Sequence, residues 1–314
     1  MQTLPQAQKT ALLPLVEKAK KYSEDAHSDN TRKTYRSGWR SFEMFCRLQD
    51  LTPLPAAPGT VGIYLTAESL IGRSVATLRT RLAAIQAAHR EMGHDNPVTD
   101  AVKRIMRGIA RTTGTRQAQA APITEATVQR ILATIGNTAK DKRDLALVLA
   151  GRDLLARRSE LVALDVADIQ YAEDGSGTAL ISRSKTDQDG QGAEMYLSPR
   201  AVDALKSWLE MAKITDGAVF RRLWKGGRVA GRLTADAVPH IFRRLAKVAG
   251  VETVGISGHS CRVGMAQDLV ASGAELPNLM QAGRWKSSAM PARYTERQGA
   301  RRGAVARFYD GMEG

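Results

Sequence analysis

Apolar positions recur at helical spacing along most of the chain, and their phase marks out the elements. Tyr35, Trp39, Phe42 and Cys46 fall on one helical face, with Ser28, Asp29 and Asn30 ahead of them as N-cap chemistry, which predicts a helix running to about Leu48. Pro53, Pro55 and Pro58 punctuate the loop that follows, and a second helix is predicted from about Gly59 to Ile71. After Gly72-Arg73-Ser74 a third runs to about Met92. Val75, Leu78, Leu82, Ile85 and Ala88 line one side of it, and Arg79, Thr80 and Arg81 are turned partly outward. A fourth follows Pro97, with Val102, Ile105, Met106 and Ile109 facing inward. Residues 1–115 thus read as a helical bundle. The period then vanishes through Pro122, so residues 116–122 read as a linker.

A second domain, 123–314, starts near Ile123 with Thr124 as its N-cap. Helical spacing dominates again except in 166–197. There Thr178 to Arg183 and Ala193 to Leu197 flank a Gly- and Asp-rich turn, the pattern of an antiparallel hairpin. The expected fold class is therefore mainly α with a small antiparallel β-hairpin or sheet, in two domains.

Charge narrows the partners. The 314 residues carry 46 Lys and Arg against 32 Asp and Glu, a formal +14, with a pI near 10.0. Residues 1–115 hold 17 Lys and Arg against 10 Asp and Glu, so half of the excess lies in each domain. Both domains are thereby expected to touch one polyanion, although such charge also serves merely to keep a protein dispersed. The two cysteines, Cys46 and Cys261, lie in no metal-ligand or disulfide framework. No apolar run approaches the ~20 residues of a membrane span, and the polar start lacks a signal-peptide pattern. A reducing, cytoplasmic location is expected.

The chemistry concentrates near the C-terminus. His259-Ser260-Cys261-Arg262, then Trp285 and Tyr294, place an imidazole, a guanidinium, an indole donor and a phenol in one short stretch. Upstream stand Arg157, Glu160 and the turn lysine Lys185. These are the parts needed to attack a phosphodiester with a tyrosine hydroxyl. A phenol of pKa ~10 is barely ionised at neutral pH, so fixed cations must stabilise both it and the phosphorane it forms. Arginine suits this, because its planar fork grips two non-bridging oxygens and stays charged. The leaving 5′-oxygen needs a proton, which a lysine on a mobile hairpin can deliver.

In these motifs the chain resembles the tyrosine site-specific recombinases, the phage-integrase family. Ser257 through Asp268, then Met280 through Trp285 and Tyr294, are similar to that family's second catalytic box and nucleophile region at the same internal spacing. Leu145 through Glu160 is similar to the first box without a gap. The similarity is weaker at the Lys185 hairpin and faint before residue 120. The resemblance implies a C-shaped clamp, made of an N-terminal core-binding bundle and a catalytic domain.

It also implies roles. Arg157 and Arg262 would bind the scissile phosphate, and His259 would donate to it or shuttle a proton. Lys185 would be the general acid, while Glu160 would orient its catalytic neighbours. Trp285, where many members carry histidine, would donate its indole N–H to a phosphate oxygen, and Tyr294 would form a 3′-phosphotyrosyl bond. That bond stores the cleaved linkage, so no ATP, metal or other cofactor is expected.

The resemblance also implies base and phosphate contacts from Lys33, Thr34 and Arg36 on one helix and from Thr77, Arg79, Thr80 and Arg81 on another, residues that equally suit a solvated helix face. Asp236 and His240 would add contacts from the second domain. Affinity should then fall steeply with salt. As partners the resemblance implies double-stranded DNA with an inverted-repeat site and further copies of the chain. Two protomers would occupy one site and four would act on two, exchanging a short helix at about 301–312.

Duller alternatives stand beside each assignment. His240-Ile-Phe-Arg243 is a second HxxR, Arg152 and Arg158 compete with Arg157, and Lys185 also fits an ordinary turn. Tyr309 lies late in the chain too, and the terminal helix also suits packing on its own domain. A type IB topoisomerase shares the chemistry, and a non-catalytic DNA-binding protein would share the charge and the bundle.

Overall fold

A computed structural model describes residues 12, 14, 15, 17, 18, 22, 29–116, 118–182, 192–301 and 303–310. The chain is mainly helical with small antiparallel sheets, and it divides into two compact units, Met1–Gln117 and Ala118–Gly314. Among the described residues no helix is long and apolar enough to cross a membrane.

Four helices build the first unit: α1 (Asp29–Leu48), α2 (Pro58–Leu70), α3 (Val75–Glu91) and α4 (Asp100–Thr113). Phe42 and Cys46 from α1 pack with Tyr64 and Leu65 from α2, Leu78 and Ile85 from α3, and Val102 and Met106 from α4. The ring of Tyr64 lies edge-on to Phe42, their centroids 5.1 Å apart. Ser74 caps α3 by accepting from the Thr77 N–H at 3.3 Å. Helices α1 and α3 cross closely at Gly38, where a Cβ would come within 3.0 Å of that of Ala84. Ile105, expected inward, stays 37% exposed. Val102 and Met106 are the buried anchors of α4, with Ile109 and Ala110 packed partly buried beside them.

In the second unit, α6 (Ala139–Asp153) is buried nearly all round and is flanked by α5 (Glu125–Thr134), α7 (Arg158–Ala163) and α8 (Pro199–Ala212). Strands β1 (Ile169–Tyr171), β2 (Gly177–Ile181) and β3 (Ala193–Leu197) form an antiparallel sheet in that order. Thr178 pairs with Tyr196, and Ala179 and Leu197 turn into the core. A second two-stranded sheet, β4 (Arg221–Leu223) with β5 (Val229–Arg232), was not anticipated from the sequence. Beyond it come α9 (Val238–Val248), α10 (Ser260–Ala271), α11 (Leu276–Gly283), α12 (Ala289–Tyr294), α13 (Glu296–Arg301) and α14 (Ala304–Asp310). A small apolar cluster apart from the main core joins Leu155, Val263, Ala266, Leu279 and Tyr294, with Trp285 against it.

Candidate active site

The site grows from two helix junctions. At the first, Leu155 adopts φ 41° and ends α6 abruptly. Arg157 returns to extended backbone (φ −73°, ψ 152°) and stands at the N-cap of α7. Glu160, in the first turn, folds back on that cap. Its Oε2 accepts the Arg157 main-chain N–H at 3.0 Å and its Oε1 accepts from Arg157 Nη1 at 2.6 Å. A carboxylate here also faces the positive end of the helix. Burial alone would raise the Glu160 pKa, but the Arg284 charge and the Arg157 hydrogen bonds outweigh it and hold the group below its ordinary value.

At the second junction, Ser257 and Ser260 tie the turn before α10. The Ser257 N–H donates to Ser260 Oγ at 2.9 Å and the His259 N–H donates to Ser257 Oγ at 3.2 Å. One turn on, Arg262 is only 2% exposed. Its terminal nitrogens donate to the carbonyls of Leu155 and Gly283, and its guanidinium lies 4.5 Å from the centre of the Trp285 ring. Burial lowers its pKa to about 10, with the like charge of Arg157 adding to the effect. It therefore stays a cation throughout the neutral range.

Trp285 meets Tyr294 edge-on at 5.9 Å, with 72° between the rings. Gly283 is required beneath it, since a Cβ there would collide with the indole. Tyr294 ends α12 and is only 8% exposed. Its carbonyl accepts from the side-chain amides of Gln119 and Gln267, each at 3.0 Å. Burial raises the pKa of its phenol, while Arg262, Arg157 and Arg293 pull the other way.

His259 is exposed at its surface, yet partial burial of the ring and the charges of Arg262, Arg157 and Arg158 lower its pKa below the ordinary 6.5. The ring is thus neutral at pH 7 in the free protein. Proton NMR of the free chain should show His259 titrating below 6.5, and a midpoint above 6.5 would contradict this electrostatic picture.

Arg157, Glu160, His259, Arg262, Trp285 and Tyr294 are thus neighbours, although 137 positions separate Arg157 from Tyr294. Lys185 lies outside the described residues, in the connection between β2 and β3. The competing arginines are otherwise engaged. Arg152 is 2% exposed and pairs with Asp268 at 2.8 Å, while Arg158 pairs with Asp236 at 2.8 Å. Arg243, from the second HxxR, donates to the Ile256 carbonyl at 3.3 Å. Tyr309 is exposed on α14, edge-on to Phe308. Sequence reasoning missed Arg284, whose Nη2 reaches Glu160 Oε2 at 2.8 Å. It also missed the two glutamines, for which no local signal exists. Among the described residues no group of three or more His, Cys, Asp or Glu is arranged to hold a metal ion.

Of the candidate DNA contacts, Lys33, Thr34, Thr77, Thr80 and Arg81 line one cleft of about 460 Å³ between α1 and α3. Arg81 is anchored there by Glu68 and donates to the Tyr64 hydroxyl at 3.2 Å. Arg36 lines a different cleft beside Trp39, and Arg79 is exposed. In the second unit Asp236 and His240 are both exposed. His240 borders a basic hollow with Lys140, Arg143, Arg222 and Arg244.

Residues 121–301 match the model of the phage integrase family. An integrase/recombinase xerD homolog of Selenomonas ruminantium is 31% identical over 291 residues, covering 89% of this chain and 85% of the relative. The recombinase cre of Escherichia phage P1 is 28% identical over 305 residues, covering 91% and 89%. In fold the chain is similar to the Tn1549 transposon integrase in complex with transposon right end DNA. That match has a TM-score of 0.63 and 15% identity, over 90% of this chain and 97% of the other.

Proposed function

The chain belongs to the phage integrase family, the tyrosine site-specific recombinases, and from that premise we propose that Tyr294 is its nucleophile. The enzyme breaks and rejoins DNA. In the step proposed, the Tyr294 oxygen bonds to the scissile phosphorus as the bond from phosphorus to the 5′-oxygen breaks. The 5′-oxygen takes a proton from Lys185, and His259 donates to the phosphate or carries the phenolic proton away. Arg157 and Arg262 hold the non-bridging oxygens, where negative charge builds in the phosphorane, and Trp285 adds its indole N–H. Glu160 orients Arg157. The reverse attack by a 5′-hydroxyl from a second duplex exchanges strands through a Holliday junction.

The observation that carries this reading is the Arg262 guanidinium lying over the Trp285 ring, with Trp285 edge-on to Tyr294. It sets a buried, permanent cation, an N–H donor and a phenol side by side. Its test is a library of duplexes labelled at one end or the other. A 3′-phosphotyrosyl bond requires a label at the 5′ end of the cleaved strand to travel with the protein and a label at its 3′ end to be released. The opposite pattern, or no adduct, would sink the reading.

Assembly follows the same premise: a dimer on one inverted-repeat site and a homotetramer on two. Helix α14 supports this by presenting Val305, Phe308 and Tyr309 to solvent, 61–71% exposed. Deleting residues 301–314 should leave binding to a single site intact and abolish pairing of two sites in a gel-shift assay. Unimpaired recombination by that truncation would refute the exchange. The clefts around Lys33 and His240 are the proposed DNA contacts.

A further inference from the structure

We propose that Arg284 is a positioning residue for strand cleavage: by sharing the Glu160 carboxylate with Arg157, it leaves the Arg157 charge only partly compensated and one prong of its fork available to the scissile phosphate. The inference rests on the reading above, in which Arg157 grips that phosphate.

Glu160 has two oxygens and, among the described residues, three N–H donors. Oε1 takes Arg157 Nη1 at 2.6 Å, and Oε2 takes Arg284 Nη2 at 2.8 Å and the Arg157 main chain at 3.0 Å. A buried carboxylate facing a single arginine tends to close a two-pronged pair with it. Here Arg284 holds the second oxygen, so Glu160 engages only one terminal nitrogen of Arg157. Charge points the same way. Three guanidiniums, of Arg157, Arg262 and Arg284, surround one carboxylate, so the site keeps an excess of two positive charges. Without Arg284, Glu160 would cancel Arg157, the arginine it is meant to orient.

Arg284 is also held against its own preferences. Its backbone is left-handed, φ 53°, which residues other than glycine rarely adopt. Among the described residues its Nε and Nη1 are buried without a hydrogen-bond partner. A side chain that accepts both costs calls for a reason beyond packing. The same Nη2 reaches the Leu154 carbonyl at 3.3 Å, next to the Leu155 carbonyl that Arg262 holds. The two arginines thereby pin the turn that presents Arg157. The charge of Arg284 bears on Glu160 and Arg262, whereas Tyr294 feels Arg262, Arg157 and Arg293. Arg284 therefore acts through its neighbours.

The test uses the full chain and a duplex recovered by covalent capture, nicked so that cleavage is single-turnover. The scissile position carries either a normal phosphodiester or an uncharged methylphosphonate. Arg284→Ala should cut the phosphodiester about 30–100-fold more slowly, with DNA affinity unchanged within error. On the methylphosphonate, where less positive charge is needed, its deficit should shrink to within about 3-fold. Arg284→Lys should retain more of the phosphodiester rate than Arg284→Gln, because only lysine keeps the charge. An Arg284→Ala rate equal to the unaltered one, or the same deficit on both substrates, would overturn the proposal. If alanine prevents folding, the lysine and glutamine pair decides, and equal rates for the two overturn it. The unaltered chain's Tyr294-linked adduct is the control. Its loss would strike the nucleophile assignment, whereas the Arg284 outcomes bear on this inference alone.

Discussion

A Tyr294→Phe chain should bind its DNA as tightly as the unaltered one yet form no covalent adduct, a loss of at least about 10⁴-fold in cleavage. The substitution removes one oxygen and little else. The ring sits in the apolar cluster of Leu155, Val263, Ala266 and Leu279, which a phenylalanine fills equally well. The edge contact with Trp285 involves only the ring, and Gln119 and Gln267 bond to the main-chain carbonyl. Stability should therefore change little, and the defect should be purely chemical. Quantifying adducts on denaturing gels alongside a gel-shift titration checks both halves. Cleavage within tenfold of the unaltered rate would mean that another group attacks the phosphorus.

The second large effect is expected at Arg262. Arg262→Gln should slow cleavage about 10²–10³-fold, the range typical of losing one preorganised donor to a developing anion. The side chain is buried against Trp285 and bonded to the Leu155 and Gly283 carbonyls, so its charge is held at a fixed place. It is also the foremost influence lowering the pKa of Tyr294 against the upward push of burial. The sign follows directly: the phenol must lose its proton to attack, and without Arg262 its pKa rises further. The limb on which the rate rises as the phenol ionises should shift to higher pH in the variant. A rate within fivefold of the unaltered chain, or an unmoved limb, would place the decisive charge elsewhere.

The features legible in the sequence were those governed by local pattern. The inward faces of α1 and α3 followed from 3.6-residue spacing, and Val75, Leu78 and Ile85 are all buried as expected. The pairing of Thr178 through Ile181 with Ala193 through Leu197 followed from strand composition around a turn. Strands β4 and β5 escaped because Arg221-Arg222-Leu223 and Val229-Ala230-Gly231-Arg232 carry no alternation. They exist through pairing and through contacts such as the Arg232 bond to the Val162 carbonyl at 2.9 Å. Helix α6 was equally opaque in part. Arg143, Asp144 and Arg152 look solvated in sequence but are buried: Arg143 pairs with its neighbour Asp144, which Arg244 also meets from 100 positions away, and Asp268 meets Arg152 from 116.

The site shows the same division. The order of Arg157, Glu160, His259, Arg262, Trp285 and Tyr294 could be read along the chain. The partition of Glu160 between two arginines could not, because Arg284 meets it across 124 positions. Nor does any local signal tell that Gln119, in the stretch expected to be mere linker, bonds to the carbonyl of Tyr294.

Digesting the trapped protein–DNA adduct and locating the nucleotide remnant by mass spectrometry tests the central claim most directly. The account predicts a phosphodeoxynucleotide on the peptide that contains Tyr294, joined through the phenolic oxygen. A remnant on Tyr309, Tyr196 or any residue other than Tyr294 would contradict it.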